Sequence, residues 1–148
     1  KWSDIHTIIL DFDGVSIVNR VFISQSGKEL VSCSRSHGLA FDLIRKFSNA
    51  YHWGIHIFIL STESNVLVSS RTEKLKIKCY QGIDDKLSFA SDYLYSTFTN
   101  LSLRNSLRGL IYLGNDLNDL PIFLLPCIRI APVMLIQSLN AIMILSSQ

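Results

Sequence analysis

The sequence predicts an α/β fold built on a doubly wound parallel sheet, and three observations predict it. Three short, largely apolar runs, at 7–10, 55–60 and 110–113, read as buried strands, and 77–80 reads as a further short strand. The segments between them carry apolar residues at helical spacing, so strands and helices alternate. Hydrophobic residues make up 48% of the 148-residue chain and charged residues 18%, which suits strands covered on both faces and excludes a disordered chain. A chain of that length is expected to form one domain.

The first strand, Thr7-Ile8-Ile9-Leu10, stops at Asp11, as a central parallel strand does where its carboxyl end opens into a site. Region 21–34 reads as two strands joined by a turn containing Gly27, a β-hairpin. Over 39–47, Leu39, Ala40, Leu43, Ile44 and Phe47 form the stripe of an amphipathic helix following Gly38. The second strand, 55–60, ends at Ser61-Thr62-Glu63, and 65–75 continues as a helix. A short strand at 77–80 and a helix at 84–98 come next, separated by Gln81-Gly82. The strand at 110–113 runs into Gly114-Asn115-Asp116-Leu117-Asn118-Asp119. The apolar stretch 120–145 is interrupted by Pro121, Pro126, Arg129, Pro132, Gln137 and Asn140, so it reads as buried strand and helix rather than a membrane span.

Charge and cysteine content narrow the function. Fourteen basic and 12 acidic residues leave a net charge of +2 with no basic stripe, so neither nucleic acid nor a membrane is an expected partner. Cys33, Cys79 and Cys127 form neither a CxxC pair nor an even set, and read as reduced, semi-buried thiols. With no basic segment leading into an apolar run and cleavage site at 1–4, a cytoplasmic location is expected.

Chemistry concentrates at strand ends. Asp11 and Asp13, one residue apart at a strand tip and followed by Gly14, suit covalent phosphoryl transfer. Asp11 would attack phosphorus, while Asp13 would protonate the leaving alkoxide and then activate water. A carboxylate attacking an anion needs its repulsion cancelled, so a hard dication with oxygen ligands is expected, Mg²⁺ fitting best, with further ligands from the loop 115–119. Ser61 and Thr62 can donate hydroxyl and backbone N–H bonds to phosphoryl oxygens, and Lys86 supplies a positive charge. Each feature has a plainer reading: a solvated turn for the aspartates, a helix cap for Ser61-Thr62, a solvated helix residue for Lys86. Their occurrence in order, three just after apolar strands and one at the head of a helix, favours a site.

These residues resemble the small, capless branch of the haloacid dehalogenase (HAD) superfamily. That branch contains 3-deoxy-D-manno-octulosonate 8-phosphate phosphatases, sialic-acid-type 9-phosphate phosphatases and the C-terminal domain of some acylneuraminate cytidylyltransferases. The similarity runs from about Ile8 to Pro132. It passes through Asp11-Phe12-Asp13-Gly14-Val15, Gly27-Lys28-Glu29, Ser34-Arg35-Ser36-His37-Gly38, Leu60-Ser61-Thr62-Glu63, Gln81-Gly82-Ile83-Asp84-Asp85-Lys86 and Gly114-Asn115-Asp116-Leu117-Asn118-Asp119-Leu120-Pro121. It implies a three-layer Rossmann-like core with a protruding hairpin and no cap domain, in a homotetramer whose neighbouring subunit closes the site. It also implies Mg²⁺ held by the Asp11 side chain, the Asp13 carbonyl, Asn115 and Asp116, and an acidic sugar phosphate as substrate. Glu63 stands where nine-carbon sugar members often carry Glu; its plainer role is a negative charge in a first helical turn. Arg71 and His37 complete the candidate substrate contacts, His37 having the plainer reading of a loop histidine.

The chain departs from the family pattern at several places. Asn115 replaces an aspartate, which lowers the charge available to a metal. Ser16-Ile17-Val18 replaces Leu-Thr-Asp, His37 replaces Asp, and Val133-Met134-Leu135-Ile136 follows Pro132 in place of an Ala-Asp segment. Two functions therefore stay open: a Mg²⁺-dependent phosphatase, or a non-catalytic oligomerisation domain of an acylneuraminate cytidylyltransferase.

Overall fold

The computed structural model describes residues 2–17 and 20–131. In chain order these form β1 (Thr7–Leu10), β2 (Val21–Ile23), β3 (Glu29–Val31), α1 (Arg35–Ala50), β4 (His56–Leu60), α2 (Val66–Leu75), β5 (Lys78–Tyr80), α3 (Lys86–Thr97), α4 (Leu103–Arg108), β6 (Leu110–Leu113), α5 (Leu120–Phe123) and β7 (Ile128–Ile130). Five strands make one parallel sheet in the order β5-β4-β1-β6-β7, while β2 and β3 pair with each other alone. Thr7 lies in register with His56 on one side and Leu110 on the other. The sequence order reverses direction at β1, so a crevice opens beyond its carboxyl end.

Period-2 alternation sends side chains to two layers. Ile9, Phe58, Leu60, Leu110 and Tyr112 join Ala90 and Leu94 of α3, Leu107 of α4 and Ile122 of α5 in one core. Leu10 and Ile59 join Phe41 of α1 and Val68 and Leu75 of α2 in the other. The resulting α/β sandwich has three layers, as expected. Among the described residues, the only paired strands inserted between β1 and α1 are those of the hairpin, whose Gly27 turns at φ 76°. The hairpin protrudes: Val21, Phe22, Ile23 and Leu30 are all more than half exposed.

Several expectations need correction. α1 starts at Arg35, where the Ser34 side chain caps it by accepting from the Ser36 N–H, so Gly38 lies inside the helix. Its buried residue is Phe41, whereas Leu39, Leu43 and Phe47 are exposed. Apolar residues occupy more than one face of α1, and the sheet takes only the Phe41 and Ile44 side. Ser61-Thr62 does not cap α2; Asn65 does, by accepting from the Leu67 N–H. Glu63 precedes that helix rather than sitting in its first turn. α4 has no counterpart in the reading of the sequence, because six residues with two buried ones carry no usable periodicity. Cys33 is exposed rather than semi-buried. The apolar stretch starting at 120 supplies α5 and β7, and β7 is exposed rather than buried. Val18 and everything beyond 131, including Val133-Met134-Leu135-Ile136, lie outside the described residues. Among the described residues no helix is long and apolar enough to cross a membrane.

Candidate active site

The site is built where β1 ends. The Asp11 N–H donates to the Leu113 carbonyl at 2.8 Å, so the backbone still follows the sheet while the buried side chain enters the crevice. The chain then closes a loop over 12–16, with the Ile17 N–H donating to the Phe12 carbonyl at 3.1 Å. Phe12, 2% exposed, plugs this loop into the core. Asp13 is extended (φ −75°, ψ 131°) and Gly14 is left-handed (φ 69°), a conformation only glycine adopts without strain. A Cβ at Gly14 would collide with the side-chain amide of Asn115, so the two loops touch there. The Ser16 hydroxyl donates to the Asp11 carbonyl at 3.0 Å and His37 Nδ1 donates to the Ser16 carbonyl at 3.0 Å, pinning the loop from the α1 side.

Lys86 is the hub. It is the first residue of α3, set up by the Asp85 side chain accepting from the Ser88 N–H at 2.9 Å. Its ammonium donates to Asp11 Oδ1 at 2.7 Å and to Asp119 Oδ1 at 2.8 Å, and all three side chains are at most 6% exposed. The plainer reading of Lys86 as a solvated helix residue therefore fails. Asp119, fully buried, also accepts from the Tyr112 hydroxyl at 2.5 Å through Oδ1 and from the Asn115 and Asp116 N–H groups at 2.9 and 3.2 Å through Oδ2. Gly114 makes room for it, since a Cβ there would come within 2.5 Å of Asp119 Oδ2.

Electrostatics follow from burial. Burial pushes the Asp11 carboxyl up to about 6, with Lys86 opposing and Asp119 adding to the rise. Burial also raises Asp13, and the negative charges of Glu63 and Asp116 raise it further against the pull of Lys86. Burial is the largest single influence on Lys86 and acts to lower it, but Asp11 and Asp119 together outweigh it and hold the ammonium above the ordinary lysine range. The Tyr112 phenol is pushed far up by burial and by Asp119, so it stays a donor.

The remaining candidates are placed as follows. Ser61 is buried at the β4 tip; its N–H is used by the Tyr80 carbonyl at 2.9 Å, so only its hydroxyl, which accepts from the Glu63 N–H at 3.1 Å, is left to serve a ligand. This corrects the expectation of a Ser61 backbone donor. Thr62 is half-buried and Glu63 exposed beside it. Asp116 is exposed, with Oδ1 accepting from the Leu117 N–H at 2.6 Å. Arg71, on α2, donates to the Ser34 carbonyl at 2.7 Å, which ties α2 to the exit of the hairpin. His37 lines an apolar cavity of about 330 Å³ with Leu10, Ala40, Phe41 and Leu113.

Reasoning from sequence missed the individual weight of Asp119 and missed Tyr112 altogether. An available signal was the spacing of Asn115 and Asp119: a turn of four residues returns the Asp119 carboxylate to the Asn115 backbone N–H. Tyr112 had none, because within an apolar strand a tyrosine reads as core.

The site suits a cation. Asp119 bears on Asp11, and Glu63 and Asp116 bear on Asp13, while Lys86 is the positive charge that opposes both sets. Asn115 Oδ1 is buried without a hydrogen-bond partner, an oxygen a hard dication would satisfy. Among the described residues no group of three or more His, Cys, Asp or Glu could hold an ion alone, so an amide and a backbone carbonyl would have to contribute.

Fold and site together define a doubly wound α/β protein with a buried carboxylate–lysine centre at its switch point. No family model matches the chain. Among solved structures, it is similar to a protein from Streptomyces avermitilis assigned to the HAD family of hydrolases: 36% identity over 88% of this chain and 73% of that one, TM-score 0.69. It is also similar to a Legionella pneumophila protein assigned to subfamily III A of the HAD superfamily: 32% identity, 82% and 60% coverage, TM-score 0.65. A third is 3-deoxy-D-manno-octulosonate 8-phosphate phosphatase from Moraxella catarrhalis, solved with magnesium, phosphate and 3-deoxy-D-manno-octulosonate: 26% identity, 80% and 62% coverage, TM-score 0.63. The chain spans 60% to 73% of the length of these three proteins. It belongs to the HAD superfamily.

Proposed function

We propose that this protein is a Mg²⁺-dependent phosphatase that hydrolyses an acidic sugar phosphate of the ulosonate type through an aspartyl-phosphate. The observation that carries the reading is the buried ammonium of Lys86 bridging Asp11 and Asp119 at the tip of the central strand, with Asp13 two residues on. With Lys86 on Oδ1, Asp11 attacks phosphorus through Oδ2; an O–P bond forms to Asp11 as the bond to the sugar oxygen breaks. Asp13, held above the ordinary carboxyl range, gives its proton to the leaving alkoxide and then takes one from the water that hydrolyses the intermediate. Ser61, Thr62 and Lys86 hold the phosphoryl oxygens. Asp11, the Asp13 carbonyl and Asn115 would hold Mg²⁺, with Asp116 adding negative charge at the rim. The metal would neutralise charge on the phosphoryl group.

The substrate class is supported by the octulosonate and phosphate bound to the Moraxella neighbour and by Glu63 and Arg71 near the β4 and α1 ends. A homotetramer is supported by the hairpin, whose consecutive residues Val21, Phe22 and Ile23 expose apolar side chains on both faces. Three free thiols suit a reducing cytoplasm.

The test is phosphate release from octulosonate 8-phosphate, nonulosonate 9-phosphate and an aryl phosphate, with and without Mg²⁺. Turnover that needs Mg²⁺ and falls at least about a thousandfold in Asp11→Asn is expected. Absent turnover in a folded oligomer would favour the assembly-domain reading, which Asn115 already favours.

A further inference from the structure

We infer that Tyr112 is a positioning residue, its hydroxyl fixing Asp119 and thereby holding the Lys86 ammonium against Asp11. The consequence for turnover rests on the phosphatase reading, but the positioning itself does not. Tyr112 lies on β6 with no exposed surface, packed in the core with Ile9, Leu94 and Ile122 and set edge-on to the Phe123 ring at 5.8 Å. Its hydroxyl is therefore carried by the rigid sheet, not by a loop. It donates at 2.5 Å to Asp119 Oδ1, the same oxygen that accepts from Lys86 at 2.8 Å.

The other anchors of Asp119 are weaker fixtures. The Asn115 and Asp116 N–H groups belong to the loop that Asp119 itself holds in shape, so they move with it. The Lys86 ammonium sits at the end of a four-carbon stem and can follow either carboxylate. Of the groups bonded to this carboxylate, only Tyr112 is set in a strand, and so it determines where Oδ1 stands. With the hydroxyl removed, Asp119 can rotate and draw Lys86 off Asp11. A displacement on the order of 1 Å at a reacting centre lowers turnover about a hundredfold. A tyrosine in a strand core has no need of its hydroxyl for packing, so phenylalanine would keep the fold.

The experiment compares wild type, Tyr112→Phe, Asp119→Asn and Ile122→Val. Ile122→Val removes a methyl group from the same core and leaves the hydroxyl in place. Metal-free protein is exposed to formaldehyde and cyanoborohydride, and the methylation rate of Lys86 is followed by peptide mass spectrometry. That readout needs no substrate and no activity. Phosphate release is then measured with Mg²⁺ and aryl phosphate. Tyr112→Phe is expected to raise the Lys86 methylation rate at least about tenfold, matching a lost hydrogen bond to a charged group. It is also expected to lower kcat about ten- to a hundredfold with KM moved less than about threefold. Asp119→Asn should expose Lys86 likewise, and Ile122→Val should change neither reading. Lys86 equally protected in wild type and Tyr112→Phe, or equally exposed by Ile122→Val, overturns the inference. If Tyr112→Phe does not fold, Asp119→Asn decides it: unchanged protection of Lys86 there overturns the inference. A wild type without turnover whose Lys86 still depends on Tyr112 refutes the phosphatase and leaves the positioning role standing.

Discussion

Lys86→Met is expected to cost this protein a large part of its folding stability, because it strands two buried carboxylates. Methionine keeps the length and packing of the stem and removes only the charge. At 2.7 and 2.8 Å, and with an effective dielectric of about 20, each contact of the ammonium with Asp11 and Asp119 is worth about 6 kcal/mol before desolvation. Several kcal/mol per buried ion offset most of this in the intact network. Removing one partner does not recover that cost, since the carboxylates remain buried at 6% and 0% side-chain exposure. The net loss is about 3–5 kcal/mol, against about 5–15 kcal/mol for a whole domain. In urea the midpoint should fall by about 2 M with an unchanged slope. The assay is equilibrium unfolding in EDTA at pH 7.5, followed by circular dichroism. A midpoint within about 0.3 M of wild type would refute the reasoning, because it would mean that Lys86 is solvated and the network is not formed.

Other perturbations probe other parts of the molecule. Gly14→Ala places a Cβ on a left-handed residue and against the Asn115 amide, so it should destabilise by about 1–3 kcal/mol in urea unfolding and lower phosphate release more than Gly27→Ala, whose Cβ would meet open space. His6 is held below the usual histidine range by burial and by the charge of His56. Its folded form therefore binds fewer protons than the unfolded chain, so its contribution to stability is complete above about pH 6.5 and is lost as pH falls through its lowered value. A His6→Gln variant should show a flatter fall in urea midpoint between pH 7 and 5. Cys33 is exposed, whereas burial pushes the half-buried Cys79 thiol up to about 11. A disulfide reagent at pH 7.5 should therefore modify Cys33 within minutes and Cys79 only after denaturant is added, read by peptide mass spectrometry.

The strands of this protein were legible because burial leaves a local mark. Thr7-Ile8-Ile9-Leu10 and Leu110-Ile111-Tyr112-Leu113 are apolar in consecutive positions, which is what a strand covered on both faces requires. The tip position of Asp11 and the head-of-helix position of Lys86 could be read for the same reason. Helix faces were read less well: α1 has apolar residues on more sides than its neighbours cover, and periodicity cannot say that Phe41 rather than Leu43 meets the sheet.

By itself, then, the sequence determined the alternation of strands and helices, the hairpin, and the polar residues left at strand ends, since each depends on residues close together in the chain. Tertiary structure decided that Lys86, 75 residues from Asp11 and 33 from Asp119, is withdrawn from solvent between them. It also decided that Tyr112 reaches through the core to the same carboxylate and that Asn115 lies against Gly14. Those contacts exist because β1 is seated between β4 and β6, which brings three distant loops to one edge of the sheet. Strand order is a property of the whole packed chain, and no local pattern carries it.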